Sequence, residues 1–352
     1  MRPDSFQRIL ISRLRFIGDV ILTTPVIRAF RENFPTAKLS FLVEKENSPV
    51  LENNPDLNEI LTFERNWSLI KQIKFIRHLR QKHFDLAVDF FCNPRSAYLT
   101  FLTNAKWRIG YDVRLRGRIY HQRVRVKEKV NAVESHLTLV SALGLSVPQD
   151  RTPRVFLSES EKIWAKNFLR QKGIEPGKLL IGLHPGASWP AKRWPKERFF
   201  DLATQFMKNC GAKIIWVIGP KEKDLSPFPH RGESERGQQE SFLILQNFLL
   251  RQLAAVISQC DLFIANDGGP MHLACALGTP TLAIFGPSEP EIWFPYSFFK
   301  KYRVVVSQVP CRPCHQDFCP DKTLRCMTEL SVGKIFNEAQ EILQGTRKNF
   351  NY

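Results

Sequence analysis

Short, dense apolar runs alternate with longer amphipathic stretches along this chain. Residues 7–14 read as a buried strand, closed by Arg15-Phe16-Ile17-Gly18-Asp19 and followed by a helical stretch, 20–33, in which Pro25 marks a helix start or a kink. Residues 39–43 form the next strand, 69–82 an amphipathic basic helix, 86–89 a strand and 108–110 a short one. The pattern then restarts. A helix over 159–172 is followed by a break at Gly173, Pro176 and Gly177, and a new first strand over 179–183 ends at His184-Pro185-Gly186. Helices over 198–210, 249–258 and 270–277 then alternate with strands over 213–218, 262–265 and 281–285, and 225–240 reads as a long polar surface excursion. Strands alternating with helices specify α/β layers with a parallel sheet, and the restart specifies two of them. The reading is therefore two Rossmann-like domains, 1–172 and 173–330, followed by a closing segment 331–352. Two such sheets leave a crevice at the carboxyl ends of their strands, where ligands of open parallel sheets bind.

At 352 residues the chain is long enough for two such cores. No apolar run reaches the roughly 18 residues that span a bilayer, and Ile9-Leu10-Ile11 is too short for a secretory core, so a cytoplasmic protein is expected. Fifty-one Lys and Arg against thirty-four Asp and Glu leave a net charge of +17, which favours an anionic partner: nucleic acid, a phosphorylated small molecule or a charged membrane face. Lys106, Arg108, Arg114, Arg116, Arg118, Arg123, Arg125, Lys127 and Lys129 concentrate that charge, either as a solvated edge or as an anion-facing surface.

Neither G-x-G-x-x-G in the first strand-to-helix loop nor a G-x-x-x-x-G-K-[ST] phosphate loop is present. What the strand ends do carry is chemically suggestive. Gly18 allows close backbone approach, and Asp19 offers either a carboxylate to a ligand or a helix cap. After the second restart, Ala187, Ser188, Lys192 and Arg193 put small, hydroxyl and cationic groups together, suited to a diphosphate, beside Trp189 and Trp194. Asp267-Gly268-Gly269-Pro270 is a tight turn opening a helix, whose free N–H groups and dipole favour a phosphate, and His272 follows as a hydrogen-bonding or a structural histidine. Gly286-Pro287-Ser288-Glu289-Pro290 ends the next strand and is expected to line the same crevice. Cys311, Cys314, Cys319 and Cys326 have a leading C-x2-C spacing that fits a structural zinc with His315 in reserve, plain reduced thiols or a redox pair; Cys92, Cys210, Cys260 and Cys275 are scattered like core residues.

Four segments in this order resemble the lipopolysaccharide heptosyltransferases of glycosyltransferase family nine: RLRFIGDVILTTPVIRAFRENFP, LHPGASWPAKRWPKERF, NDGGPMHLACALGTPTLAIFGPSEPEIWFP and CRPCHQDFCPDKTLRCM. The resemblance spans residues 9–343. It implies a GT-B fold of two facing domains, with the terminal helix packing back across the first. It implies an inverting transfer of heptose from ADP-heptose to the inner core of lipopolysaccharide, of second- or third-transferase type. Asp19 would be the base. Ala187, Ser188, Lys192, Asp267, Gly268, Gly269 and His272 would hold the donor, and Glu222 the nucleoside. Arg15, Arg95, Arg114 and Arg118 would face the anionic glycolipid acceptor. No divalent metal is needed for catalysis in that scheme, because Lys192 and the 267–269 turn lie across the crevice from Asp19. The enzyme would be peripheral at the inner leaflet, touching it through the first domain with the 106–129 segment and the helix bearing Lys71, Lys74, Arg77, Arg80 and Lys82. Two rival readings remain: a nicotinamide oxidoreductase, for which Glu44 stands near the ribose-contact spacing but the glycines are missing, and a nucleic-acid binder drawing on the charge and the cysteines. No nucleic-acid partner is expected.

Overall fold

Ile9, Leu10 and Ile11 are fully buried because β1 (Arg8–Ser12) is an inner strand of a sheet covered on both faces. The computed structural model describes residues 6–126, 129–220, 222–227 and 242–347, apart from the side chains of 114–116, 223 and 347. The chain divides into two compact units, Met1–Phe156 and Leu157–Tyr352.

In the first unit β1 pairs in parallel with β2 (Lys38–Glu44) and β4 (Leu86–Asp89), setting Ile9 beside Leu39 and Leu86. β3 (Glu59–Phe63), β5 (Trp107–Tyr111) and β6 (Gln122–Val124) extend the sheet to the order β3-β2-β1-β4-β5-β6. The helices are α1 (Ile17–Leu22), α2 (Thr24–Asn33), α3 (Leu69–Gln81), α4 (Pro94–Leu102) and α5 (Ala132–Ala142). The stretch read as one helix over 20–33 is two, separated at Thr23, with Pro25 in the first turn of α2, where its missing N–H costs nothing. Asp19 consequently lies inside the first turn of α1 and not in the loop before it.

The second unit repeats the plan. β7 (Leu180–His184), β8 (Lys213–Ile218), β9 (Phe242–Gln246), β10 (Leu262–Asn266), β11 (Thr281–Phe285) and β12 (Tyr302–Val306) form a parallel sheet of order β12-β11-β10-β7-β8-β9. As in the first sheet, the first strand in sequence lies between the second and the fourth. Its helices are α6 (Glu159–Gln171), α7 (Lys196–Cys210), α8 (Leu250–Ile257), α9 (Gly269–Ala276), α10 (Pro290–Trp293), α11 (Arg325–Thr328) and α12 (Val332–Arg347).

Two expectations about domain limits are corrected. α6 was expected to close the first domain at 172, yet Arg251 on α8 donates to both oxygens of Glu161 on α6, at 2.7 and 2.5 Å, so α6 belongs to the second unit and the boundary falls at 156/157. The closing helix was expected to pack on the first domain. Instead Ile335, Phe336, Ala339 and Ile342 of α12 are buried with Trp194, Leu202 and Phe206, and the Phe206 and Phe336 ring centroids are 4.8 Å apart. Burying each such side chain is worth about 1.5–3 kcal/mol at most, which fixes α12 on α7. Among the described residues no helix is long and apolar enough to cross a membrane.

Candidate functional site

In the first unit the polar groups gather where β1, β2 and β4 end. Arg13 follows β1; its guanidinium donates to the Phe90 carbonyl at 2.6 Å, stacks over the Phe91 ring at 4.5 Å and donates through Nη2 to Asp19 Oδ1 at 2.5 Å. Asp19 Oδ2 accepts the Phe16 N–H at 3.2 Å, so the carboxylate is fixed from two sides while its side chain remains 22% exposed. Asp19 therefore reaches back from the third position of its helix to the entering backbone, a capping role that leaves the carboxylate open to solvent.

The support under Arg13 is itself organised by a buried carboxylate. Asp89, at the end of β4, accepts the N–H groups of Phe91 and Cys92 at 2.9 and 3.0 Å and the Tyr120 hydroxyl at 2.8 Å. These bonds set the turn that presents the Phe90 carbonyl and the Phe91 ring. Burial pushes the Asp89 carboxyl above its ordinary range.

Arg15 stacks over Phe16 at 5.0 Å, and Arg95, in the first turn of α4, lies 5.5 Å from the Phe63 ring. Both guanidiniums act on Glu44, at the end of β2: burial raises its pKa, and Arg15 and then Arg95 draw it back. Arg65 also donates to Glu44, at 2.7 Å. Arg15 and Arg95 thus share one strand-end cluster. Arg118 is exposed on the short 3₁₀ segment Arg114–Ile119 between β5 and β6, and the side chain of Arg114 lies outside the described residues, as do Lys127 and Glu128 of the basic segment.

In the second unit the ends of β7, β8, β10 and β11 meet. Lys192 Nζ lies 2.6 Å from Asp267 Oδ2 and 4.4 Å from the centre of the Trp189 ring. The same Asp267 oxygen accepts the Ser288 hydroxyl at 2.5 Å. Gly268 and Gly269 open α9, whose first N–H groups lack acceptors within the helix. Ala187 is buried and its carbonyl accepts Arg193 Nε at 3.0 Å, whereas Ser188 is exposed. Glu222 accepts the Gly219 N–H at 2.8 Å and lies 3.8 Å from His184 Nε2. Its carboxylate lies over Gly186, where a Cβ would displace it. His184 Nδ1 donates to the Val217 carbonyl at 3.2 Å; burial depresses the imidazole's pKa, against the pull of Glu222, and keeps it neutral at pH 7. His272 is buried on α9, with Nδ1 3.2 Å from the Tyr296 hydroxyl.

Lys192, Asp267 and Glu222 therefore stand with the glycine turns at one sheet edge, and Asp19, Arg15 and Arg95 stand at the other sheet's edge. Cys311, Cys314 and Cys319 lie near enough to Cys326 to act on its thiol, and among the described residues no three His, Cys, Asp or Glu side chains are arranged to hold an ion. Cys326 is buried in the core, which pushes its thiol up to about 11, while Cys311 is exposed and Cys319 donates to Asp321 at 2.9 Å. The segment braces the loops that follow β7 and β11. Arg312 donates to the carbonyls of Gly286 and Ser288, Cys314 and His315 donate their N–H groups to the Pro287 carbonyl at 3.1 and 3.0 Å, and the Asp317 carbonyl accepts the Ala191 N–H at 3.1 Å.

Sequence reasoning missed two participants. Arg13 had a visible signal, a cation within an otherwise apolar strand run. Arg312 was overshadowed by the cysteines beside it, and Ser288 was expected in a crevice-lining turn but without its bond to Asp267.

Two parallel sheets of one strand order, each collecting polar groups at its strand ends, define an α/β glycosyltransferase architecture of the GT-B kind. Residues 72–324 match glycosyltransferase family 9 (heptosyltransferase), and the chain belongs to that family. It is 26% identical over 295 residues to lipopolysaccharide heptosyltransferase 3 of Escherichia coli, covering 81% of this chain and 85% of the relative. It is 25% identical over 341 residues to lipooligosaccharide heptosyltransferase 2 of Campylobacter jejuni, covering 97% and 99%. The solved structure of E. coli ADP-heptose lipopolysaccharide heptosyltransferase II superposes with a TM-score of 0.80 at 23% identity, over 97% of this chain and 99% of that one. The protein is thus a glycosyltransferase, and neither the oxidoreductase nor the nucleic-acid-binding reading has support.

Proposed function

We propose that the protein is an inverting transferase that moves heptose from ADP-heptose to the inner core of lipopolysaccharide, as a second- or third-type heptosyltransferase. The observation that carries the reading is the Asp19 carboxylate, oriented by Arg13 and the Phe16 N–H yet reachable from solvent. Asp19 takes the proton from the acceptor hydroxyl as that oxygen bonds to the anomeric carbon, and the bond from that carbon to the diphosphate breaks with its electron pair leaving on ADP. Lys192 and the N–H groups that open α9 neutralise the charge developing on the diphosphate. Glu222 contacts the nucleoside, Ser188 and His272 complete the donor site, and Arg15, Arg95, Arg114 and Arg118 receive the anionic acceptor. This assignment needs no cofactor, so turnover is expected to survive EDTA. The acceptor is a glycolipid of the inner leaflet, which makes the enzyme a cytoplasmic protein peripheral to that membrane.

The deciding experiment incubates purified protein with a panel of nucleotide sugars and core-truncated lipopolysaccharides and weighs the products. A heptose-sized gain with ADP released supports the reading. Transfer of another sugar, or of none, overturns it.

A further inference from the structure

Eleven large apolar side chains stay exposed among the described residues, and Leu69, Ile70, Ile73, Tyr98 and Phe101 all belong to α3 and α4. Five on two neighbouring helices make a patch, not scatter. On α3 the outward face is set by spacing: Ile70, Ile73, Lys74 and Arg77 recur at i, i+3, i+4 and i+7. The opposite face carries Phe75, Ile76 and Leu79, which pack with Phe63 and Leu99, so the core does not use Ile70 or Ile73. Ile70 is 67% and Ile73 48% exposed. On α4 Tyr98 and Phe101 lie three residues apart, and the Arg108 guanidinium sits 5.3 Å above the Phe101 ring. Arg80 on α3 donates to the Leu102 carbonyl on α4 at 2.9 Å, joining the helices into one platform. A groove of about 370 Å³ lies between the two helices, lined by Phe63, Ile76, Arg95, Tyr98 and Leu102 among others.

The charge on this face has one sign. α3 contains Lys71, Lys74, Arg77 and Arg80 and no Asp or Glu, and among the described residues Lys71, Lys74 and Arg77 have no ion-pair partner. A second copy of the chain would bring these cations against their like. A nucleic acid would answer the cations and leave the isoleucines in water. An anionic bilayer answers both, taking aliphatic side chains at the headgroup boundary and lysine and arginine heads against lipid phosphates.

We propose that the outer face of α3 and α4 is the surface by which this protein docks on an anionic lipid bilayer, with Ile70 and Ile73 entering the headgroup boundary. The proposal rests on the membrane-peripheral reading above, which already placed the basic helix α3 at the leaflet, and narrows the contact to α3 and α4 with their exposed apolar side chains.

The test is sedimentation of the full-length protein with vesicles of mixed phosphatidylethanolamine and phosphatidylglycerol, beside vesicles of phosphatidylcholine alone, at about 0.15 M salt. Binding is expected to the anionic vesicles and to fall roughly tenfold in Ile70→Ser/Ile73→Ser. A loss of roughly tenfold is also expected in Lys74→Gln/Arg77→Gln. Transfer to a vesicle-embedded acceptor should fall with binding in the isoleucine pair, while transfer to the same acceptor stripped of its acyl chains keeps the wild-type rate. Wild-type protein that ignores anionic vesicles, or paired variants that bind as well as wild type, would overturn the docking face. So would a lipid-independent dimer abolished by the isoleucine pair, which assigns the face to a second copy. If the vesicle results hold and the wild type transfers no heptose, the docking face stands and the transferase reading falls; if heptose is transferred and the vesicle results fail, the reverse follows.

Discussion

The two sheets share one strand order and one parallel pairing scheme, yet their strand ends are furnished in opposite ways. At the first sheet Asp19 is held by an arginine and a backbone N–H and remains partly open to solvent. At the second, Asp267 is 4% exposed and has Lys192 and Ser288 on the same oxygen. An open carboxylate is able to accept a proton from an incoming group; a closed one is a positioning device for its lysine. The fold supplies the edge, and the loops decide which chemistry stands there.

The sharpest way to break this contrast is at the open carboxylate. Asp19→Asn keeps the hydrogen-bond acceptor toward Arg13 and removes the base, so turnover is expected to drop by about 10² to 10⁴-fold while ADP affinity stays unchanged. Steady-state kinetics beside calorimetry decides it, and transfer at the wild-type rate would remove Asp19 from the mechanism. At the closed carboxylate the expectation inverts. Lys192→Ala is expected to weaken ADP binding by about 1.5–3 kcal/mol, the worth of a charge-assisted bond to the diphosphate. Unchanged ADP affinity and unchanged turnover together would dismiss Lys192 as a donor ligand.

A smaller effect probes how tightly the second edge is built. Gly186→Ala displaces the flexible Glu222 carboxylate from the Gly219 N–H, and about 0.5–1.5 kcal/mol of stability is expected to be lost, read by denaturant unfolding. In a Glu222→Ala background the same substitution should cost almost nothing; an undiminished loss there would place the effect elsewhere. The smallest expected effect lies at the pair that assigns α6 to the second unit. The hydrogen bonds from Arg251 hold the Glu161 carboxyl at about 2, below its ordinary value of 4.5. A depressed carboxylate contributes stability above the unfolded pKa and loses it as pH falls from about 4.5 toward 2. Glu161 is 24% exposed, so screening limits the contribution to about 1 kcal/mol. Glu161→Gln should flatten the acid limb of the stability profile in that window and leave the alkaline limb alone; identical acid limbs would show that the pair adds nothing.

Strand runs that are apolar on both faces, such as 9–11 and 181–183, were legible because both faces of a parallel strand are buried, leaving no polar alternation to obscure them. β3, β6, β9 and β12 were not read, since each lies at or next to a sheet edge and mixes polar and apolar residues over three to five positions. The tight turns were readable for a related reason: glycine and proline punctuate a strand-to-helix turn whatever the rest of the fold does. Asp19, Lys192 and Asp267 were singled out in this way, each beside a turn.

Local preference and period were enough for the sequence to determine two α/β units, the turns that end their inner strands and the charged residues those turns carry. Those features depend on residues a few positions apart. Only the tertiary structure decided that α6 and α12 belong to the second unit, because an ion pair between Glu161 and Arg251 and a ring contact between Phe206 and Phe336 join residues 90 and 130 positions apart. It also decided that the cysteine segment braces the loops around Ser288 through Arg312 and two backbone N–H groups. Cysteine spacing alone names no such brace, because what a loop touches is a property of packing.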